Sequence, residues 1–389
     1  MSSTMRLILL VLLGIIVLTG LAFVAPLPIR FRMDFQVLWH ANLGILNGVA
    51  LYDRAGQAAM LARLNGGTPE QQFVLPFPYP PWFATLTLPI AALPIQAAAR
   101  LWFLLDLAML AGSVWLLSDG RAAGPRLALM LGSALFPPAA GALFVGQFVF
   151  PTLLGIAMLV HALRGQRPLE FACAAALITF KPHVGVFVLA AALFLLLKRS
   201  DGFTRQSVRY TLGAAAVLIG LGFVADPAWP RTYLASLSGF SQVSRCQLCV
   251  SLPMMLATLL GGGLSHAFLI ALASLVLLLV TLIWRGLPNP GGEAGPFIGL
   301  SVCAGLLINP YLQNYDFTFL LIPFLVLAGR AASPASWTTL LAAYALPWLG
   351  LGVLGRLGGA TLLVSTAILA VTFIRLTRVV PARTIHATE

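Results

Sequence analysis

The chain has 389 residues, of which 60% are hydrophobic and only 9% are charged, and its mean hydropathy is +0.96. Soluble globular domains carry about 25% charged residues, so a surface built from this composition could not face water. The composition excludes a soluble enzyme, a disordered chain and a disulfide-stapled secreted domain. It predicts an all-α, polytopic membrane protein that forms a single integral membrane domain over residues 1–389.

The net charge of +12, from 23 basic and 11 acidic residues, would suggest nucleic acid in a soluble protein. In this chain most basic residues flank apolar runs, where such residues anchor membrane spans and set their orientation. We therefore expect membrane lipids, and no nucleic acid, among its partners.

The first apolar run, Leu7 to Leu27, is longer than a signal-peptide core and no A-x-A cleavage site follows it. It predicts a retained first span with the amino terminus in the cytoplasm. The polar stretch that follows has apolar residues at helical spacing in Phe35 to Leu46 and again in Tyr52 to Leu64. This spacing predicts two amphipathic helices on the membrane surface, within an outer loop of residues 28–80.

The remaining apolar runs predict about 12 transmembrane helices in total, at roughly 20 residues for each crossing. The runs are 81–93, 95–117, 127–144, 148–163, 169–198, 208–225, 264–285, 295–309, 315–330, 335–353 and 356–376. Two are ambiguous. Run 81–117 fits two short spans or one span with a re-entrant piece, and run 169–198 carries Lys181-Pro182 at its centre, so it fits one kinked helix or two half-helices.

Basic clusters at 198–209 and 375–383 predict cytoplasmic loops, which places loops 226–252 and 309–316 outside together with 28–80. Simple counting also places the loops at 118–126 and 164–168 outside, although they contain four arginines. Splitting run 169–198 and merging run 81–117 would move those arginines inside. The sequence leaves both topologies open, and with them the side of 145–148.

Cys246 and Cys249 form a C-x-x-C motif in an outer loop. A zinc site would need two more ligands nearby, whereas a local disulfide is compatible with an oxidising compartment. The chain has no Walker-type glycine motif and no H-E-x-x-H motif, which argues against an ATP-driven pump.

Asp34 follows the first span at the start of the first surface helix. A carboxylate near the membrane plane is partly desolvated, which raises its pKa towards that of a useful general base. The alternative is a helix N-cap, a position that Asp favours. Asp53 also lies at a helix start, and for it the cap is the favoured interpretation.

Lys181 is costly inside an apolar run, so it is expected to face a cavity or a partner, and Pro182 frees backbone groups at the same point. The ammonium group, with His183 nearby, could hold a phosphate, and an ion-paired lysine is the alternative. Gly146-Gln147 opens another run. Its amide could donate hydrogen bonds to a ligand, or it could belong to an ordinary helix start.

A dense polar cluster lies between two predicted spans and contains Asn309, Gln313, Asn314, Tyr315 and Asp316. Tyr and Asn suit sugar recognition by stacking and hydrogen bonding. The alternative is a solvated turn.

These motifs, in this order, resemble glycosyltransferase family 87. The residues that carry the resemblance are Asp34-Phe35, the segment Leu46 to Asp53, Tyr79-Pro80-Pro81, Gly146-Gln147, Lys181-Pro182 and Asn309-Pro310 to Tyr315. They cover roughly residues 30–330. The resemblance implies a GT-C type membrane glycosyltransferase that moves mannose from a polyprenyl-phosphate donor to a lipid or glycan acceptor, with inversion.

The resemblance also implies roles for single residues. Asp34 would be the general base, and the acceptor or sugar would contact Asp53 and the Asn309, Gln313, Asn314 and Tyr315 cluster. The residues implied for the donor phosphate and sugar are Arg32, Tyr79, Gln147, Lys181, His183 and Arg245. The implied enzyme uses no metal or other cofactor, acts as a monomer, and has its active site on the periplasmic side of a bacterial-type inner membrane.

Two other functions remain open from the sequence. A transporter or flippase of lipid-linked sugars usually shows internal repeats and ionisable residues at the membrane midplane. This chain shows no repeat, and its polar candidates gather near one face, which favours chemistry at a surface. A non-catalytic membrane subunit would be insensitive to the loss of Asp34.

Overall fold

The computed structural model describes residues 33–72, 74–199, 201–243, 250–284, 294–331, 333–353 and 358–379. Over these ranges the chain is helical and has no β-strand, which confirms the predicted all-α class. Several features predicted from the sequence lie outside the described residues, namely the first span, Arg32, Arg245 and the Cys246–Cys249 pair.

Both helices predicted for the first outer loop are present. They are α1 (Met33–Leu46) and α2 (Arg54–Asn65). Asp53 is the N-cap of helix α2, and its side chain accepts a hydrogen bond from the Gly56 backbone N–H at 2.9 Å. This contact satisfies one of the amide groups that every helix leaves unpaired in its first turn.

Apolar runs account for most of the other α-helices, but the helices Trp229–Val243 and Leu252–Leu259 lie between the predicted runs. These other α-helices are, in chain order, α3 (Pro81–Thr87), α4 (Ile95–Leu117), α5 (Ala123–Leu135), α6 (Pro137–Val145), α7 (Val149–Gly165), α8 (Pro168–Ile178), α9 (Pro182–Leu197), α10 (Gly202–Ala225), α11 (Trp229–Val243), α12 (Leu252–Leu259), α13 (Leu264–Trp284), α14 (Ala294–Ile308), α15 (Leu321–Ala328), α16 (Pro334–Val353) and α17 (Gly358–Val379). Short 3₁₀ segments occupy Pro69–Gln71, Leu88–Ala92 and Asn314–Leu320.

Helices α4 and α10 are long and apolar enough to cross a membrane, and α5 with α6 makes a third candidate if this pair, bent by 64°, counts as one span. Shorter apolar helices of 10–17 residues occupy much of the rest of the described chain. These apolar helices are those of a membrane protein. The total of about 12 spans stays a prediction.

The two ambiguous runs are resolved at the level of secondary structure. Run 81–117 contains the short helix α3, a 3₁₀ turn and the single long helix α4. Run 169–198 forms two helices, α8 and α9, which are separated at Lys181. Pro182 is the first residue of α9, a position where its missing N–H costs no hydrogen bond and its fixed φ suits the helix.

The chain divides into two compact units. The first unit comprises Met1–Met109, Ala142–Phe148 and Leu218–Phe240, and in it α1 packs against the 3₁₀ turn at Leu88–Ala92. The second unit comprises the remaining residues. Within it α7 packs on α8, α16 packs on α17, and α14 contacts both α9 and α17.

Candidate active site

Asp34 lies in the first turn of α1 and is half-buried. An acidic side chain is stabilised there by the positive end of the helix dipole. The adjacent Phe35 is fully buried, and its ring lies 6.4 Å from that of Trp102. Because Phe35 anchors the amino end of α1 in the first unit, the Asp34 carboxylate is attached to a fixed point of the fold.

Three half-buried tyrosines of the first unit, Tyr52, Tyr79 and Tyr233, form what we call the tyrosine cluster. The Tyr52 hydroxyl donates to the Tyr79 carbonyl oxygen at 2.9 Å, and the Tyr52 and Tyr233 rings have centroids 5.6 Å apart. Burial raises the pKa of Tyr52 well above its usual value, and Tyr233 and Asp226 raise it further. Burial also raises the pKa of Tyr233 to about 12, so both phenols remain neutral hydrogen-bonding groups near pH 7.

Gln147 connects this cluster to the junction between α6 and α7. Its Oε1 accepts from the Tyr79 hydroxyl at 3.0 Å and from the Phe148 backbone N–H at 2.7 Å. These two donors fix which end of the amide is oxygen. The side chain is fully buried, and its Nε2 has no hydrogen-bond partner among the described residues. That amide nitrogen is therefore a buried donor for which the described part of the chain supplies no acceptor.

The backbone conformation of Gly146 places Gln147 at this position. Its φ is +71°, in the left-handed region that side chains disfavour. The Gln147 N–H donates back to the Ala142 carbonyl at 2.9 Å, a Schellman-type ending of α6. The Gly-Gln dipeptide thus ends one helix and turns the amide inward within two residues.

Aromatic rings pack against the ring of Tyr79. The Phe148 ring lies 4.9 Å from Tyr79, 5.0 Å from Phe83 and 5.4 Å from Trp102, in each case edge-to-face. Edge-to-face pairs at such separations stabilise beyond the area they bury. Together with the Phe35–Trp102 contact, the rings form a continuous path from the start of α1 to Tyr79.

Asp226 is a buried acid that the sequence placed in an outer loop without assigning it a role. Its carboxylate accepts from the Ala228 N–H at 2.8 Å and from the Thr232 hydroxyl at 2.7 Å. These bonds cap the start of α11, and the charge also acts on Tyr52. The available sequence signal was an acid at the start of the predicted outer loop 226–252.

An open groove of about 750 Å³ runs beside α2 in the first unit. Small residues line it, and Asp53 and Arg63 supply its two charged side chains. Asp53 therefore both caps α2 and faces this groove. The cap confirms the favoured interpretation of Asp53, and its predicted contact with an acceptor stays a prediction.

In the second unit, Lys181, His183 and Asp316 form what we call the lysine cluster. Lys181 Nζ lies 2.5 Å from Asp316 Oδ1, and the two side chains are 2% and 1% exposed. His183 Nε2 lies 3.9 Å from Asp316 Oδ2, and its side chain is 32% exposed. The ion-paired alternative for Lys181 is therefore present, and His183 is the member of the cluster that reaches the surface.

The polar segment after α14 surrounds the same cluster. The Gln313 backbone N–H donates to Asp316 Oδ2 at 2.8 Å, and Lys181 Nζ lies 4.8 Å from the centre of the Tyr315 ring. The buried Asn309 amide donates to the His183 carbonyl at 2.7 Å. Asn314 begins the 3₁₀ turn and is exposed. Most of this segment is thus an ordered partner of Lys181 and His183, whereas a solvated turn would leave it in water.

Residues predicted for one site thus fall into two groups, each described within its own unit. Tyr79 and Gln147 are in direct contact in the first unit, and Lys181, His183, Asn309, Gln313 and Tyr315 gather in the second. Asp316 was recognised only as part of a polar segment. The sequence did contain a signal for an ion pair with Asp316. It is an acid beside one apolar run, in a chain that also has a lysine inside another apolar run. Within the described ranges, no three His, Cys, Asp or Glu side chains are arranged to hold a metal ion.

The sequence was compared with known proteins. The model of glycosyltransferase family 87 matches residues 77–310, more than half of the chain. No individual curated protein matches significantly. The matched region contains Tyr79, Gln147, Lys181, His183 and Asn309, whereas Asp34 precedes it. The chain therefore belongs to glycosyltransferase family 87, and it is a membrane glycosyltransferase.

Proposed function

We propose that the protein transfers mannose from a polyprenyl-phosphate donor to a lipid or glycan acceptor at the outer face of the membrane, with inversion at the anomeric carbon. The observation that carries this proposal is the family match over 77–310. Family membership favours the transferase over a transporter and over a non-catalytic subunit. A GT-C architecture and a monomeric state belong to the same proposal.

Asp34 is proposed as the general base. It removes the proton from the acceptor hydroxyl while that oxygen attacks C1 of the sugar, and the bond from C1 to the phosphate oxygen breaks. The lipid phosphate leaves with the bonding electrons, and the proton remains on Asp34. A single in-line displacement converts a β-phosphate linkage into an α-glycoside. The half-burial of Asp34 and its anchor at Phe35 support this role.

The tyrosine cluster is proposed to contact the sugar. The rings of Tyr52 and Tyr79 can stack on a sugar face, and the Gln147 Nε2 group can donate to a hydroxyl. Support comes from the ring path that joins the Asp34 end of α1 to Tyr79. We propose the groove beside Asp53 for the acceptor, because it is open and carries one acid and one base.

The lysine cluster is proposed to bind the phosphate of the donor. Charged and hydrogen-bonding donors stabilise the negative charge that develops on a leaving phosphate. Lys181 is almost fully buried and is paired with Asp316, so it would act mainly through its charge. His183, which is partly exposed, would make the direct contact. Arg32 and Arg245 remain proposed as further phosphate ligands. No metal is required by this chemistry.

A topology with twelve spans is part of the proposal. If α4 is one span, α5 with α6 is one, and α8 and α9 are separate spans, the helix order sets sides for every loop. Arg121, Arg126, Arg164 and Arg167 then fall on the same side as the 198–209 cluster. This arrangement satisfies the positive-inside rule, which simple counting did not.

The same topology places Asp34, Gln147, Lys181 and Asn309 on the opposite, periplasmic side. Helix α8 has 11 residues, so it is only about 16 Å long, roughly half the thickness of the hydrocarbon core. Lys181 would then lie at the base of a recess. Alkaline-phosphatase fusions after residues 147 and 167 test this, with activity expected only for the first.

Transfer by purified protein in lipid tests the function. Radiolabelled polyprenyl-phosphate mannose and a crude envelope-lipid acceptor would be given to the wild type, to Asp34→Asn and to Glu70→Gln. Transfer is expected to fall at least ~100-fold in Asp34→Asn, the scale of losing a general base. The matched Glu70→Gln variant, which removes an exposed carboxylate of the same outer loop, should keep most of the activity.

Unchanged transfer by Asp34→Asn would refute the role of Asp34. Labelled polyprenyl-phosphate pentose and glucose serve as alternative donors, and preference for either would refute mannose. A β-linked product would refute inversion. No transfer from any polyprenyl-phosphate sugar would refute the donor class.

A further inference from the structure

Four arginines from distant parts of the sequence gather in the second unit, outside every residue assigned above. We call Arg121, Arg126, Arg164 and Arg330 the arginine cluster. They come from the turn after α4, the start of α5, the end of α7 and the turn after α15. No sequence motif joins them, so the fold alone brings them together.

The contacts of the first two arginines place them at the end of α4. The Arg126 guanidinium lies 3.9 Å from the centre of the Trp115 ring and donates to the Ser118 carbonyl at 3.2 Å. Arg121 donates to the carbonyl of Ala328, the last residue of α15. Both side chains are only partly exposed. They are fixed to backbone and ring, so little conformational entropy remains to be lost on binding a ligand.

Arg164 and Arg330 are exposed and extend this positive surface. Arg164 acts on Arg330 by electrostatic repulsion. A Cβ atom at residue 295 would lie only 2.7 Å from Arg164 Nη2, so the glycine allows the guanidinium to pack closely against the first turn of α14. The amino end of this 15-residue helix adds partial positive charge at the same place.

In the described part of the chain, one acid is seen beside the cluster. Asp119 lies 3.9 Å from Arg126, is 76% exposed at its side chain, and also attracts Arg164. Glu170 is engaged elsewhere, at 2.7 Å from His161 and 3.6 Å from Arg167. Repelling guanidinium groups at one surface are stabilised by a bound anion, and arginine is the side chain best suited to phosphate oxygens.

The position of the arginine cluster at the end of a candidate membrane span indicates what kind of molecule carries that anion. Helix α4 is long and apolar enough to cross the membrane, and it ends at Leu117, one residue before Ser118. Trp115 is 44% exposed and is of the type that favours the headgroup level. The cluster therefore lies where a helix leaves the hydrocarbon, which is the depth of phospholipid phosphates.

We propose that the arginine cluster binds the headgroup phosphate of an anionic phospholipid, at the opposite end of α7 from Gln147. Basic pockets between membrane helices bind such headgroups through charge and arginine hydrogen bonds. The bound lipid would join the ends of α4, α7 and α15 to the start of α14. This site is separate from the proposed transfer chemistry, and neither depends on the other.

Native mass spectrometry of the full-length protein tests the proposal. Detergent-purified protein would be given phosphatidylglycerol or phosphatidylcholine, and the lipid retained on gentle activation would be measured. The wild type should retain phosphatidylglycerol in preference. Arg164→Gln/Arg330→Gln should retain at least ~10-fold less, because two basic contacts are lost. The matched control, Arg205→Gln/Arg209→Gln, removes the same charge from the first turns of α10 and should bind like the wild type.

Arg164→Lys/Arg330→Lys keeps the charge and should retain intermediate binding, even if the glutamine variant is unstable. Binding of two soluble compounds, glycerophosphoglycerol and inorganic phosphate, would be measured in parallel. If either binds as tightly as the lipid, the ligand is a soluble phosphate ester and the proposal is wrong. Equal retention of phosphatidylcholine, or equal loss in the control variant, would also overturn it.

Discussion

The tyrosine cluster of the first unit and the lysine cluster of the second hold their polar groups by different physical means. Tyr52, Tyr79 and Gln147 are neutral and are joined by hydrogen bonds of 2.9–3.0 Å within a layer of aromatic rings. Lys181 and Asp316 are charged, almost fully buried and 2.5 Å apart. The difference shows that this fold keeps a neutral, hydrogen-bonded cluster in one unit and an internal ion pair in the other.

The two clusters also differ in how much free energy of unfolding is lost when one of their members is removed. A lost neutral hydrogen bond costs about 0.5–1.5 kcal/mol, and somewhat more if a buried partner is left unsatisfied. An ion pair that loses one member leaves a buried charge uncompensated, at a cost of about 3–5 kcal/mol. The predictions below test this difference, beginning with the largest expected effect.

Removing one member of the ion pair should have the largest effect. Lys181→Met leaves the Asp316 carboxylate buried without its ammonium partner. We expect its free energy of unfolding to fall by about 3–5 kcal/mol. Thermal unfolding of detergent-solubilised protein, calibrated by denaturant titration, would measure this loss.

The double variant Lys181→Met/Asp316→Leu is the matched control, because an apolar pair of similar volume can replace a buried ion pair with little or no loss. It should regain most of the stability. If it also regains transfer activity, the pair is purely structural and the proposed phosphate role of Lys181 is wrong. A single variant as stable as the wild type would contradict the buried pair itself.

Gln147→Leu should have a smaller effect. It removes the acceptor of both Tyr79 and the Phe148 N–H, and the buried N–H is left unsatisfied. We expect a loss of about 1–3 kcal/mol. Tyr79→Phe removes one of the two bonds and keeps the ring, so it should cost about 0.5–1.5 kcal/mol. Equal losses in the two variants would show that the Phe148 N–H finds another partner.

Asp226→Ala tests the cap of α11. It removes the acceptor of the Ala228 N–H and of the Thr232 hydroxyl, and a lost cap costs about 0.5–2 kcal/mol. Asp226→Asn keeps an acceptor without the charge and should lose less. Helix protection in α11, followed by amide hydrogen exchange, would report the change. Unchanged exchange in Asp226→Ala would exclude the capping role.

The effect expected to be smallest near neutral pH is that of Tyr233, which changes stability only in alkaline solution. Because the pKa of Tyr233 is raised to about 12 in the folded protein, the unfolded chain loses this proton first, near pH 10. The resulting stability is fully present below pH 10 and is lost as the pH rises from 10 towards 12. A tyrosinate absorbance titration should show Tyr233→Phe removing a late-ionising group. Loss of a group that ionises at pH 10 would contradict the burial.

The sequence predicted much of the local structure correctly. The helices at 35–46 and 52–64 and the cap at Asp53 followed from spacing and capping preference. The two half-helices at Lys181-Pro182 were one of the two alternatives that the sequence left open. These features depend on interactions within a few residues, so a single chain segment contains the information. The Gly146-Gln147 turn belongs to the same class, since its geometry is set by two residues and the helix before them.

Partners far apart in the sequence could not be derived in this way. Lys181 meets Asp316 across 135 residues, and Tyr79 meets Gln147 across 68. Spacing does not say which of several polar groups at helix ends will meet. Asp226 was missed for the same reason, because its effect on Tyr52 depends on how α11 packs.

The sequence by itself therefore determined that this is a membrane protein, that it is helical, and which family motifs it carries. Scarce charge and apolar periodicity are properties of composition and short-range order, so they can be read from the sequence. Only the tertiary structure decided that Lys181 is paired with Asp316, that His183 is the exposed member of that cluster, and that four remote arginines share one surface. Helix packing makes those choices, since buried charges must find partners wherever the folded chain supplies them.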